Sequence, residues 1–128
     1  MPEPSRHVFV YGTLRRGQSN DINRQVVPPV FVGSAVVVGT LYNLGAYQGL
    51  VLDGGGVVRG EVYAVSPALE RRLDEIEEIL PEPTGEYHRR EVAVDVAGRT
   101  VSCLVYEIDR QRIAGRRVIA SGDWLLRD

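Results

Sequence analysis

Short apolar runs broken by glycine or proline dominate the chain, and one segment departs from them by repeating its leucines at helical spacing. His7-Val8-Phe9-Val10-Tyr11 is an apolar run stopped by Gly12, which fits a buried first strand. Residues 12–20 (GTLRRGQSN) form a polar, glycine-bounded loop. Ser19 can cap a short helix over Asp21 to Val26 that Pro28-Pro29 ends. Residues 31–43 (FVGSAVVVGTLYN) read as one long bent strand, with Gly33 or Gly39 at a bulge or barrel corner. Leu50-Val51-Leu52 is a short strand, and Asp53-Gly54-Gly55-Gly56 is a turn in which glycine adopts positive φ cheaply. VVRGEVYAV, residues 57–65, is the next strand. Strands over roughly 87–96 and 100–108 flank Ala97-Gly98-Arg99 as a hairpin.

The helical segment starts at Ser66, a good N-cap, with Pro67 in the first helical position. It runs to about Ile79, before Pro81-Glu82-Pro83. Leu69, Leu73, Ile76 and Leu80 make a core-facing stripe. Many strands with one main helix predict a single α+β domain over residues 1–128, a small mixed barrel-like sheet with the helix packed beside it. Closure of the sheet would also remove exposed edges. In the tail, the Trp124 segment SGDWLL is expected to dock back onto the body.

With 128 residues, 44% of them hydrophobic and 25% charged, the composition is that of an ordinary globular chain. The net charge is -2, and no basic stretch joins stacking aromatics, so nucleic acid is not an expected partner. Arg110, Arg112, Arg116 and Arg117 read as a solvated surface. Cys103 is the one cysteine, which rules out an intrachain disulfide and multi-cysteine zinc sites. His7 and His88 lack metal-ligand spacing. The first six residues lack the apolar core of a signal peptide, and no run approaches the ~20 apolar residues of a membrane span. The expectation is a reduced, cytoplasmic protein with no membrane partner.

Three places can carry chemistry. On the predicted helix, Glu77 lies roughly 60° from the centre of the apolar stripe and Glu70 roughly 80°, with Asp74, Glu75 and Glu78 further away. A carboxylate at the boundary of helix and sheet tends to a raised pKa, which suits a general base. A partly exposed glutamate paired with an arginine satisfies the same pattern. At Tyr11-Gly12-Thr13-Leu14 a strand ends in glycine and turns, which can expose successive N–H groups as a nest for a carboxylate or oxyanion. An ordinary strand-to-loop turn is the plainer alternative. Tyr87 and Arg89 share one face of their strand, His88 and Arg90 the other. Tyr87 or Arg89 can orient an anionic substrate, or equally belong to a solvent face. His88 reads as a surface histidine and Cys103 as a core thiol.

Taken together these residues resemble the γ-glutamylcyclotransferase-like superfamily, and within it the small AIG2-like and γ-glutamylamine cyclotransferase-like branch. The resemblance rests on VFVYGTLRRGQSN (Val8 to Asn20), GEVYAV (Gly60 to Val65) and LDEIE (Leu73 to Glu77). Tyr87 with Arg89 and the strand through Val96, then Val105-Tyr106, continue it in order over roughly residues 7–108. It implies the family's small mixed barrel, Glu77 as acid/base, and the backbone of Tyr11, Gly12, Thr13 and Leu14 as the holder of a γ-glutamyl group. The implied reaction uses the substrate's own α-amine to attack its γ-carbonyl, releasing 5-oxoproline and an amine, with no metal or cofactor. The partner is then a small γ-glutamyl compound. A non-catalytic small-molecule-binding protein, or removal of a γ-glutamyl protecting group in secondary metabolism, are the alternatives. Two departures stand out. Glu78 replaces the glycine that usually follows the catalytic glutamate, and Tyr47-Gln48-Gly49-Leu50 replaces a Tyr-Pro-Ala-Leu-like segment. The leaving amine and the oligomeric state stay open.

Overall fold

The computed structural model describes residues 6–12, 14–18, 21–24, 29–45, 48–76 and 87–126. In chain order the elements are β1 (Arg6–Val10), β2 (Val30–Val38), β3 (Thr40–Asn43), β4 (Gln48–Val51), β5 (Val57–Val65), α1 (Pro67–Ile76), β6 (Tyr87–Val96), β7 (Arg99–Ile108) and β8 (Arg117–Val118). Short 3-10 turns occupy Ile22–Arg24, Arg110–Arg112 and Trp124–Leu126.

The main sheet has the order β2-β5-β1-β7-β6, and a smaller one has the order β4-β3-β8. β1 lies in the middle, antiparallel to β5 and parallel to β7, with His7 opposite Cys103 and Val8 opposite Leu104. The outer strands bend toward each other, since a Cβ on Gly33 of β2 would sit 2.8 Å from Val96 Cγ2 of β6. The result is a curled mixed sheet, a half-barrel with one α-helix among the described residues, and an α+β fold as the pattern predicts. Because side chains alternate along a strand, β1 feeds two cores. Val8 and Val10 pack with Leu69 and Leu73 of α1, whereas Phe9 and Tyr11 point the other way, toward Val62, Val105 and Trp124.

The expected single strand over residues 31–43 is two strands in different sheets. The β2–β5 register slips between Phe31 and Gly33, and the chain turns at Gly39, where a Cβ would lie 2.6 Å from the Val51 carbonyl oxygen. Both glycines therefore do what the pattern asked of one of them: the first makes a bulge and the second a corner. The expected helix after the first loop is a single 3-10 turn at Ile22–Arg24, with Ser19 and residues 25 and 26 outside the described residues. α1 is capped as read, with the Leu69 N–H donating to Ser66 Oγ at 3.1 Å. Its predicted continuation through 77–79, and Leu80, lie outside the described residues. The hairpin turns through Ala97 (φ 52) and Gly98 (φ 77) between the paired Val96 and Arg99. That is the primed two-residue turn favoured by strand twist. The tail docks as expected, with Trp124 1% exposed. Its contribution of a strand, β8 against β3 with Tyr42 opposite Val118, was not legible in the pattern.

Candidate active site

The loop after β1 is built as a tight turn. The Arg15 N–H donates to the Gly12 carbonyl at 2.9 Å, and the Ile22 N–H donates to the Leu14 carbonyl at 2.9 Å. Leu14 anchors the loop in the α1-side core. The Tyr11 ring goes to the opposite core and its hydroxyl donates to the Tyr106 carbonyl, so Tyr11 offers the loop its backbone. Among the described residues, neither the Gly12 nor the Leu14 amide has a hydrogen-bond partner. Gly12 has to be glycine here: a Cβ would lie 1.9 Å from Cδ of Gln48, a buried β4 side chain. Thr13 lies outside the described residues.

Two carboxylates hold the loop from below. Glu61, from the GEVYAV strand, takes the Arg16 N–H on Oε1 at 3.1 Å and Arg15 Nε on Oε2 at 3.1 Å. The Tyr63 hydroxyl donates to the same Oε1 at 2.8 Å; burial and the neighbouring carboxylate raise its pKa, so it stays a donor. Asp21 accepts the Gly17 N–H at 2.7 Å and the Asn23 N–H at 2.9 Å. Burial pushes the Asp21 carboxyl up, but these donors outweigh it and hold the group below the usual carboxylate range.

Across from the loop, α1 is fixed by an ionic lattice. Arg89 of β6 donates from Nη1 to Asp74 Oδ2 at 3.0 Å and from Nη2 to Glu70 Oε2 at 2.6 Å. Tyr106 of β7 donates to Asp74 Oδ1 at 2.7 Å, and Arg6 Nε of β1 pairs with Glu70 Oε1 at 2.9 Å. This corrects the reading that set Asp74 further from the buried stripe than Glu77 and Glu70. Asp74 is 4% exposed, because its polar partners on β6 and β7 reach up to it. An apolar stripe registers leucines and says nothing about such partners.

The predicted substrate residues therefore separate. Gly12 and Leu14 share one turn, with Tyr11 leading into it. Tyr87 and Arg89 do share a face, yet Arg89 is engaged by two carboxylates of its own chain and the Tyr87 hydroxyl donates to the Gln48 carbonyl. Glu77 lies outside the described residues, directly after the described end of α1 at Ile76. His88 pairs at the half-exposed surface with Asp109 at 2.8 Å, and Cys103 is a fully buried thiol. Sequence reasoning missed Arg15, Glu61 and Asp74 as structural charges. The only sequence signal for Glu61 and Asp74 was that they sit inside GEVYAV and LDEIE.

The described elements are a half-barrel sheet whose first strand runs into a glycine turn, with a carboxylate-rich helix packed on it. The chain matches the family described as Gamma-glutamyl cyclotransferase, AIG2-like over residues 8–126 and belongs to it. It is 36% identical over 124 residues to the Gamma-glutamylcyclotransferase family protein YtfP of Escherichia coli K12, covering 94% of this chain and 97% of that one. It is 36% identical over 107 residues to Gamma-L-glutamyl-butirosin B gamma-glutamyl cyclotransferase of Niallia circulans, covering 81% of this chain and 67% of that one. Among solved structures, an AIG2-like protein from Mus musculus superposes with a TM-score of 0.68 at 30% identity, over 80% of this chain and 76% of that one. Among the described residues no helix is long and apolar enough to cross a membrane.

Proposed function

We propose that this chain cyclises a small γ-glutamyl amine or peptide to 5-oxoproline and the free amine, with Glu77 as the single acid/base. The substrate's α-amine nitrogen bonds to its own γ-carbonyl carbon, and the amide C–N bond breaks. In going from α-ammonium to ring amide the nitrogen gives up two protons: Glu77 takes one and passes it to the leaving nitrogen, and the other ends on the released amine, as its ammonium form, or in solvent. No further reactant is consumed, so the protein has only to fold the substrate and relay protons through one carboxylate. Membership of the family supports the reaction type.

The observation that carries the reading is the pair of amides at Gly12 and Leu14, unpaired among the described residues, in a turn held from below by Glu61. Clustered N–H donors with no internal acceptor suit an oxyanion or the substrate carboxylate. Arg89 is given the role of fixing α1, which leads into Glu77, and Tyr87 that of holding β4 at Gln48.

A second reading concerns the leaving amine. The Niallia relative's name gives it γ-L-glutamyl-butirosin B as substrate. The departure at Gln48 lies against Gly12, so the pocket wall here differs from the Tyr-Pro-Ala-Leu-like pattern. A larger secondary-metabolite amine is therefore included among the candidates. The test is to incubate the protein with γ-glutamyl peptides, simple γ-glutamyl amines and γ-L-glutamyl-butirosin B, and to assay 5-oxoproline. Turnover of at least one class is expected. Binding without turnover of any would favour a non-catalytic ligand-binding protein.

A further inference from the structure

The tail segment from Ser121 to Trp124 is fitted to the body by a different device at each position. Trp124 is buried in the core that also holds Phe9 and Tyr11. Gly122 carries φ +68, accepts the Arg59 N–H on its carbonyl at 2.7 Å, and runs so close to β5 that a Cβ would lie 1.9 Å from the Val57 carbonyl oxygen. The Ser121 hydroxyl accepts the Asp123 N–H at 3.2 Å. What this fitting presents is the Asp123 carboxylate, whose Oδ1 accepts both the Leu125 N–H at 2.9 Å and Arg15 Nη1 at 2.7 Å.

Arg15 is the residue whose N–H closes the turn on Gly12. Its side chain is 11% exposed and is gripped from two sides, by Glu61 of β5 on Nε and by Asp123 of the tail on Nη1. Two fixed carboxylates on one planar guanidinium set its position and its plane, which a single ion pair does not. We propose that the tail is a latch for the loop, with Asp123 as a positioning residue. It holds the amides of Gly12 and Leu14 in the direction a γ-glutamyl group requires. The proposal rests on the cyclotransferase reading of that loop.

The latch can be opened without destroying the fold, because Arg15 and Asp123 line a surface cleft with Ser34, Arg59 and Asp95, where water can replace a lost contact. Asp123→Asn keeps the shape and the acceptor for Leu125 but weakens the grip on Arg15. Arg15→Lys keeps the charge and loses the fork. Both variants, with the exposed Glu75→Gln as control, are to be measured by hydrogen exchange and by steady-state kinetics on whichever γ-glutamyl substrate the wild type accepts. Exchange at residues 14–18 is expected to rise on the order of tenfold, the scale of one charge-assisted hydrogen bond, while the β6–β7 hairpin stays protected. KM is expected to rise by a similar factor with kcat within about threefold, and the double variant to add little to either single one. Unchanged loop exchange in both variants overturns the latch. So does an equal rise in loop and hairpin, which marks general destabilisation. Should the wild type turn over no substrate, the exchange measurement still decides the latch, separately from the reaction.

Discussion

Tyr106 donates its hydroxyl to Asp74 Oδ1 at 2.7 Å while its own backbone carbonyl accepts the hydroxyl of Tyr11. One β7 residue thus ties α1, which leads into Glu77, to the strand that leads into the Gly12 turn. Tyr106→Phe leaves Asp74 paired with Arg89, whereas Asp74→Ala takes the shared carboxylate acceptor from both the Tyr106 hydroxyl and Nη1 of Arg89. The expected loss of unfolding free energy is about 1 kcal/mol for the first and about 2–3 kcal/mol for the second, because the first removes one hydrogen bond and the second removes two, one of them from a guanidinium. Urea midpoints check the order. A larger loss for Tyr106→Phe would show that Asp74 is not the organising group.

Glu77→Gln should reduce 5-oxoproline release by about 10² to 10⁴, the usual worth of general acid–base catalysis, with ligand binding largely kept. Gln is nearly isosteric and hydrogen-bonds, but it cannot accept the α-ammonium proton. Glu78→Gln makes the same charge change one residue along the chain and should have a small effect. Equal losses, or a greater one for Glu78→Gln, would place the proton on the wrong carboxylate.

Gly12→Ala drives a methyl into the Gln48 side chain, where the present separation from Cδ would be 1.9 Å. Overpacking of this kind costs about 1–3 kcal/mol and should displace the turn that carries the amides. Gln48→Ala removes the atoms in the way, so the double variant should recover most of the melting temperature lost by Gly12→Ala. Purely additive losses would mean that Gln48 does not set the limit at this position.

Cys103 is fully buried, and burial raises its thiol from 9.0 to about 11. The fold favours the neutral thiol, so this contribution to stability is complete below pH 9.0 and falls away as the pH rises to about 11. A thiol reagent at pH 8 should label the native protein very slowly and the urea-unfolded chain readily, since the thiolate is the reactive form. Rapid labelling of the native protein would contradict the burial.

Local signals settled much of this protein. The Ser66 cap, the Ala97-Gly98 hairpin, the stop at Gly12 and the corner glycines all act over a few residues, so period and turn chemistry reveal them. The segments that carry the family resemblance were legible for the same reason, as contiguous stretches such as YGTL and LDEIE. Charge pairing was decided only in three dimensions. Arg15 meets Glu61 and Asp123 across 46 and 108 positions of sequence, and Arg89 meets Asp74 across 15. Those partners follow from β1 lying between β5 and β7, and from the tail lying against β5, and no run of residues encodes a strand order. A buried carboxylate and a solvated one look alike in sequence, because what separates them is the cation that the fold brings alongside.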